Sequence, residues 1–180
     1  MANCEWIRGD AEVALGEMPD KYVDLVLTDP PYDFEYEKKK YFQQQFWRLS
    51  RGSVIVFCPP ENQWWGAPDQ YLFWIKPIST KNTSKSYSRF VEMICVWNGG
   101  AWNANRHWSQ YTNVFMDLVD DSKVHPYRKP PSLIERLILN HTNAGDKVLD
   151  AFAGSGVVAE VCKRLGRNSI NVEIDEKYSR

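Results

Sequence analysis

The residues best suited to chemistry follow an apolar run near the start of the chain. Residues 23–27 are mostly aliphatic and β-branched, which is typical of a buried strand. Asp29, Pro30, Pro31 and Tyr32 come directly after Thr28, and we call these four residues the proline arm. Because proline fixes φ and has no N–H, neither a strand nor a helix can continue through the arm. The arm therefore holds a carboxylate, the Pro30 carbonyl and an aromatic ring at the carboxyl end of a strand, where open α/β sheets bind ligands.

A second set of candidates lies near the end of the chain. A strand-like stretch at 146–150 leads into the glycine-containing stretch 150–156, and a helical pattern follows it. The next strand-like run ends at Glu173. Its offset from Gly154 is close to the roughly 20 residues at which an acid accepts hydrogen bonds from ribose hydroxyls. A Gly-x-Gly turn also fits dinucleotide binders, although Ala159 replaces the third glycine of their full pattern. The stretch predicts a nucleoside-binding βαβ unit.

The elements that must position these residues alternate along the chain, which predicts an α/β domain. The predicted strands are 4–8, 23–28, 53–58, 70–75, 91–97, 146–150 and 168–173, and the predicted helices are 11–17, 37–50, 130–141 and 157–165. Asp10 precedes the first helix and is a candidate N-cap. Residues 101–110 show no clean periodicity and receive no assignment.

Composition narrows the class of protein. With 180 residues and 43% apolar content, the chain is expected to form one domain around one core. Its net charge of −1 does not itself indicate nucleic-acid binding, for which a local basic face is sufficient. The four cysteines are far apart and form no Cys/His cluster, so we expect buried thiols and no metal site. No signal peptide and no apolar run of bilayer length is found, which predicts a cytoplasmic protein.

The motifs together resemble those of the DNA amino-methyltransferases that modify adenine N6 or cytosine N4. The proline arm matches that family's Asp-Pro-Pro-Tyr motif, and residues 150–156 are similar to its S-adenosyl-L-methionine (AdoMet) loop. Residues 125–130 resemble its His-Pro-x-x-Lys-Pro element. The proline arm precedes the cofactor loop, as in the circularly permuted β group of the family.

The resemblance extends from residue 9 to residue 175 and implies a fold. That fold is a Rossmann-like, AdoMet-dependent methyltransferase domain spanning residues 1–180. Its sheet is expected to have seven mostly parallel strands, with one antiparallel strand at 91–97 and helices on both faces. The family's target-recognition segment is reduced here to residues 98–124, so specificity is expected to be low or supplied by a partner chain, and a homodimer is also compatible with the sequence.

The resemblance also implies roles for individual residues. The catalytic residues are expected to be Asp29, Pro30, Pro31 and Tyr32. The cofactor-binding residues are expected to be Asp10, Asp29, His125, Lys129, Asp150, Phe152, Gly154, Ser155, Gly156 and Glu173. For Asp10, capping the first helix and contacting the cofactor adenine both remain open. The element that contains His125 and Lys129 is expected to pack against the methionine end of AdoMet.

The expected reaction needs alignment rather than a metal. An exocyclic base amine is a poor nucleophile because its lone pair is delocalised into the ring. Asp29 and the Pro30 carbonyl can accept hydrogen bonds from the two N–H groups of the amine. The lone pair is then left facing the activated methyl group of AdoMet. The base must first leave the duplex, and Tyr32 is the expected stacking surface, while Phe34 is a candidate either for stacking or for the core. Aspartate at the first position of the motif favours adenine N6 in this family, whereas cytosine-N4 enzymes more often have serine.

The expected macromolecular partner is double-stranded DNA. Residues 76–89 are rich in Ser, Thr, Lys and Asn, and such a segment suits phosphate contacts, which favours a DNA-facing loop over a merely solvated one. The candidate DNA contacts are Lys76, Lys81, Lys85, Arg89 and Arg106. The sequence thus predicts an adenine-N6 DNA methyltransferase of the restriction-modification type. The alternatives are a cytosine-N4 or RNA methyltransferase, or a non-catalytic partner subunit with the same fold.

Overall fold

A computed structural model describes residues 2–59, 66–76, 90–97, 102–117 and 128–178. Eight strands form a single sheet with the order β1-β8-β7-β2-β3-β5-β4-β6. The strands are β1 (Cys4–Arg8), β2 (Val23–Thr28), β3 (Ser50–Cys58), β4 (Gln70–Ile75), β5 (Val91–Trp97), β6 (Val114–Phe115), β7 (Lys147–Asp150) and β8 (Asn168–Glu173). The helices are α1 (Ala11–Glu17), α2 (Tyr36–Leu49), α3 (Pro131–His141) and α4 (Val157–Leu165), with a 3₁₀ helix at Trp108–Tyr111. None of the helices described is long and apolar enough to cross a membrane.

The directions of the strands confirm a mostly parallel sheet with one antiparallel strand. β5 runs antiparallel to both of its neighbours, β3 and β4, and the remaining pairs are parallel. The expected count of seven strands was wrong, because β6 adds an eighth by pairing with β4. Two residues are too short to show the alternation that marks a strand in a sequence. β3 also begins at Ser50 rather than residue 53, with a register irregularity in its pairing to β2.

Helices cover both faces of the sheet, as expected. On one face, α1 and α2 bury apolar side chains that include Leu15, Phe42 and Phe46. On the other face, α3 and α4 bury a second cluster that includes Leu137 and Val161. Burying one such side chain stabilises the fold by about 1.5–3 kcal/mol, so the two clusters hold the sheet rigidly between them. A rigid sheet in turn fixes the positions of the loops that leave its edges.

The candidate residues converge at the carboxyl edge of the parallel strands. Thr28, Asp150 and Glu173 are the last residues of β2, β7 and β8, which lie next to one another in the order β8-β7-β2. Because β5 runs in the opposite direction, its first two residues, Val91 and Glu92, reach the same edge. This edge therefore brings together residues from the beginning, middle and end of the chain.

Candidate active site

A cleft of about 1130 Å³ opens at the carboxyl edge of the sheet. The proline arm lines one part of it, and the turn after β7 lines another. Pockets for a single small molecule usually measure about 300–1000 Å³. The cleft is therefore large enough to hold two small groups side by side.

The proline arm folds back so that its tyrosine meets its own carboxylate. The Tyr32 hydroxyl donates a hydrogen bond of 2.8 Å to Asp29 Oδ1 and lies 3.3 Å from Glu92 Oε1. The Asp29 side chain keeps 28% of its surface exposed, whereas Pro30 is buried. The arm thus presents a carboxylate to the cleft while the tyrosine hydroxyl is anchored between two acids.

Lys129 completes this group of side chains from the segment just before α3. Its Nζ lies 2.7 Å from Asp29 Oδ2 and also forms an ion pair with Glu92 Oε1. The ammonium group sits 4.9 Å from the centre of the Phe57 ring, and only 8% of the side chain is exposed. The charge of Lys129 is therefore neutralised within the protein, beside the proline arm.

Glu92 is a site residue that the sequence analysis did not identify. Its side chain is 8% exposed, and its second carboxylate oxygen lies 2.6 Å from the Nζ of Lys76. The available signal was an isolated carboxylate inside the apolar run 91–97, because a buried charge requires a partner. That signal indicates that a cationic side chain must pair with Glu92 but does not identify the residue that supplies it.

Burial and charge together set the protonation of this group. Burial raises the pKa of Asp29, an effect that the nearby Lys129 only partly opposes. Burial also opposes ionisation of Glu92, but the ammonium groups of Lys129 and Lys76 hold the pKa of Glu92 below its usual value. For Lys129, burial is outweighed by Asp29 and Glu92, and the pKa rises. The result is two ammonium groups, an ionised Glu92, and an Asp29 with increased proton affinity.

The turn after β7 joins the proline arm through Asp150. The Oδ1 atom of Asp150 accepts hydrogen bonds from the Thr28 hydroxyl (2.8 Å) and the Phe152 amide (3.2 Å). Burial raises the pKa of Asp150 to about 7, although both hydrogen bonds favour the ionised form. The hydrogen bond between Thr28 and Asp150 connects residues 122 positions apart in sequence. It ties the two predicted motifs into one structure.

Glycine is required where this turn enters α4. Gly154 and Gly156 have φ angles of +46° and +74°, a region that other residues rarely occupy. A Cβ atom at Gly156 would lie only 2.9 Å from the Trp6 ring. The turn thus lets the backbone pass close to β1 and leaves the cleft open above it.

Glu173 and Asp10 support the cleft on the other side of this turn. Glu173 Oε2 accepts a 2.6 Å hydrogen bond from the Gly154 amide, and its Oε1 accepts one of 2.8 Å from the Asp175 amide. The Asp10 carboxylate accepts a 2.8 Å hydrogen bond from the Glu12 amide, so the capping role is confirmed. Asp10 also lines the cleft, and its contact with a cofactor remains a prediction.

An aromatic group forms part of the cleft wall. The Phe34 ring stacks on Phe42 at a centroid distance of 5.4 Å and meets Phe152 edge-on at 5.7 Å. The Lys38 ammonium lies 5.0 Å from the centre of the Phe34 ring. Phe34 therefore packs against the core and faces the cleft at once, so both of its predicted roles stay compatible with its position.

This half of the cleft fits the chemistry of AdoMet. Carboxylates from Asp10, Asp150 and Glu173 line it, and they suit hydroxyl donors and a positively charged sulfonium. Backbone groups of the glycine turn and the Phe34 and Phe152 rings suit the flat adenine ring of its nucleoside. Ser155 lines the same cleft and is buried. Among the described residues, no group of three or more His, Cys, Asp or Glu side chains could hold a metal ion.

The two predicted DNA contacts that lie within the described residues, Lys76 and Arg106, are not close to each other. Lys76 pairs with Glu92, and its side chain is only 12% exposed. Arg106 donates a 2.7 Å hydrogen bond to Asn140 near the end of α3, about 14 Å along the helix from its first residue, Pro131, at the end beside Lys129. The remaining predicted DNA contacts lie outside the described residues: Lys81, Lys85 and Arg89. His125, a predicted cofactor-binding residue, also lies outside them.

Sequence comparison supports a methyltransferase family. A family model described as DNA methylase matches residues 36–180, a range that begins after the proline arm. Type II methyltransferase M2.DpnII of Streptococcus pneumoniae is 48% identical over 229 aligned positions, which cover 96% of this chain and 85% of that protein. Because that alignment is longer than this 180-residue chain, M2.DpnII contains residues without a counterpart here. Type II methyltransferase M.HpaI of Haemophilus parainfluenzae is 50% identical over 56 residues, which are 31% of this chain and 18% of that protein.

Solved structures with the same fold cover nearly the whole chain. M1.HpyAVI in complex with SAM superposes with a TM-score of 0.78 at 25% identity, covering 97% of this chain and 96% of that one. The cytosine-N4-specific PvuII DNA methyltransferase gives a TM-score of 0.80 at 18% identity, covering 99% of this chain and 84% of that one. The second likeness concerns the fold alone. The predicted methyltransferase fold is confirmed.

Proposed function

The chain belongs to the N6/N4 family of DNA methylases, which use AdoMet, and from this premise we propose that it methylates N6 of adenine in DNA. The observation that carries the proposal is the hydrogen bond between Thr28 and Asp150. This bond joins the proline arm to the turn after β7, and both line one cleft. Two reactants held in one cleft react as if at very high concentration, an advantage of about 7–11 kcal/mol in the best cases.

Asp29 and the Pro30 carbonyl are proposed to hold the target amine. A carboxylate has about four lone-pair sites, and Tyr32 and Lys129 occupy one site on each oxygen of Asp29. Asp29 therefore retains the capacity to accept a hydrogen bond from an N–H group of the amine. When bound, AdoMet supplies a methyl group activated by its sulfonium. Asp29 would take the proton that the amine loses when it accepts this methyl group.

The increased proton affinity of Asp29 suits this last step. A base works best when its pKa lies near the working pH, and burial moves the pKa of Asp29 upwards in that direction. Tyr32 is proposed to stack on the target base after the base has left the duplex. Its hydroxyl, hydrogen-bonded to Asp29, would keep the ring at a fixed distance from the acceptor.

The choice of adenine rests on the residue type at the first position of the proline arm. Asp29 provides an ionised acceptor there, whereas the resembled cytosine-N4 enzymes more often have serine. Both bases present an exocyclic amine beside a ring nitrogen. The substrate assay described next separates the two directly.

The test is a methyl-transfer assay with purified protein, labelled AdoMet and unmethylated genomic DNA, followed by digestion to nucleosides. We expect label in N6-methyladenine and a loss of about 100-fold or more in Asp29→Ala. The matched control is Asp33→Ala, which removes an exposed carboxylate from the same loop and is expected to retain activity.

Other outcomes of this assay would change the proposal in defined ways. Label in N4-methylcytosine would overturn the adenine assignment and keep the mechanism. Full activity of Asp29→Ala would contradict the role of the proline arm. Binding of AdoMet by the wild type without transfer to DNA would refute the proposed substrate, and an RNA substrate would then be tested in the same way.

A further inference from the structure

We propose that Glu92 is a positioning residue for methyl transfer, which holds Lys129 and Tyr32 so that Asp29 stays available to the amine. The inference rests on the proposed function, because it concerns the acceptor of that reaction. It assigns a role to a buried carboxylate that lies outside both motifs on which the proposed mechanism was built.

The partners of Glu92 carry the inference. Both of the side chains that bind the Asp29 carboxylate, Tyr32 and Lys129, also contact Glu92 Oε1. The other oxygen of Glu92 binds Lys76, which stands over the Trp74 ring at 4.9 Å from its centre. Glu92 is thus attached to each partner of Asp29 and is itself anchored from the opposite side.

The path of the chain explains why Glu92 can do this. β5 is the one antiparallel strand among the strands described, so its second residue lies at the edge where the parallel strands end. Trp74 lies directly opposite Glu92 on β4, and its ring centre lies 4.9 Å and 6.0 Å from the Lys76 and Lys129 ammonium groups that pair with Glu92. Held on a strand in the sheet, Glu92 has a fixed position, whereas Asp29 lies in a loop.

The charges show what Glu92 contributes. With Glu92 present, the Lys129 ammonium is shared between two carboxylates. Without that carboxylate, Lys129 and the Tyr32 hydroxyl would have Asp29 as their remaining acidic partner in this group. Both would then bind Asp29 more closely, compete with the incoming amine and lower the proton affinity of its carboxylate.

The other groups around Glu92 do not replace it. Within the part of the chain that the structure describes, the titratable and charged groups that face it are Lys76 after β4, Lys129 before α3, Asp29 and Tyr32 of the proline arm, and Cys58 at the end of β3. The pKa of Cys58 is raised, first by its contact with the Cys95 thiol and then by burial, so Cys58 remains a neutral thiol.

The first experiment compares single-turnover rates of the wild type, Glu92→Gln and Glu92→Asp. Glu92→Gln keeps the shape and removes the charge, and we expect the rate to fall about 10- to 100-fold with AdoMet binding unchanged. The acid limb of its pH–rate profile should move to lower pH, because Asp29 then faces two ammonium groups without the second carboxylate. Glu92→Asp should recover part of the rate. Wild-type rates and an unshifted profile in Glu92→Gln would overturn the inference.

A second variant separates positioning from simple charge balance. Glu92→Gln leaves one ammonium group without a counter-charge, which could unfold the protein, so Lys76→Met is combined with it to restore the balance. We expect the double variant to fold like Lys76→Met alone, as judged by urea unfolding, and still to react about 10-fold or more slowly than that single variant. Equal rates of the double variant and Lys76→Met would show that Glu92 only balances charge.

A measurement without substrate distinguishes failure of this inference from failure of the proposed function. The pH titration of the Asp29 carboxyl carbon is followed by NMR in the wild type and in Glu92→Gln, with Asp29→Asn for assignment. We expect the pKa of Asp29 to fall in Glu92→Gln, and an unchanged titration would refute the inference. A wild type that does not methylate DNA would refute the proposed function while this titration still decides the role of Glu92.

Discussion

Replacing Asp150 by asparagine is expected to stabilise the ligand-free protein, and increasingly so as the pH rises from 4 to 7. The Asp150 side chain belongs to a residue that is only 4% exposed, and burial raises its pKa to about 7. Its two donors, the Thr28 hydroxyl and the Phe152 amide, both bind Oδ1, an atom that asparagine also has. The variant therefore keeps both hydrogen bonds and loses only the ability to ionise.

The sign and size of the effect follow from proton linkage. In the unfolded chain the carboxyl ionises near its model value of 3.8, whereas in the folded protein it stays protonated until about pH 7. The unfolded state thus binds fewer protons across this window, and the stability of the wild type falls as the pH rises through it. At about 1.4 kcal/mol for each pH unit, the loss reaches about 4 kcal/mol above pH 7.

Urea unfolding at pH 5, 6, 7 and 8 measures the difference in stability between the wild type and Asp150→Asn. We expect the advantage of the variant to grow by about 3 kcal/mol between pH 5 and pH 8. The control is Asp175→Asn, which makes the same change at an exposed carboxylate. A difference for Asp150→Asn that stays constant across this range would refute the reasoning. Weaker AdoMet binding is expected to accompany the gain in stability, because the cleft loses a carboxylate.

Two further predictions concern the packing of the sheet. Gly156→Ala should destabilise the protein by about 1–3 kcal/mol, because its Cβ would lie 2.9 Å from the Trp6 ring at a φ of +74°. A double variant with Trp6→Leu should recover, in urea unfolding, the part of this stability loss that comes from the clash with the ring. Burial lowers the pKa of His141, which is hydrogen-bonded to Ser53, to about 4. The unfolded state therefore binds more protons below pH 6.5, and up to about 3 kcal/mol of stability should be lost as the pH falls from 6.5 to 4. His141→Gln should flatten this dependence, and an equally steep dependence in the variant would contradict it.

Local patterns were sufficient to predict most of the elements and both motifs. β2, β5 and β8 lie where their apolar runs predicted them, because burial imposes its pattern on neighbouring residues. The proline arm and the glycine turn are also local, since proline and glycine constrain their own backbone. The one strand that was missed, β6, is two residues long and exists only because β4 offers it a partner.

The charged group around Asp29 was decided by the tertiary structure. Asp29, Glu92 and Lys129 come from three distant parts of the chain, and each alone could have been an ordinary loop or strand residue. Whether Glu92 reaches the cleft depends on the direction of β5, which the family resemblance implied but which the pattern of the strand itself does not determine, because its periodicity is the same in either direction. The sequence by itself determined which residues form strands, turns and helices, because these depend on near neighbours. Which charges meet depended on strand order and direction, which arise only when the whole sheet assembles.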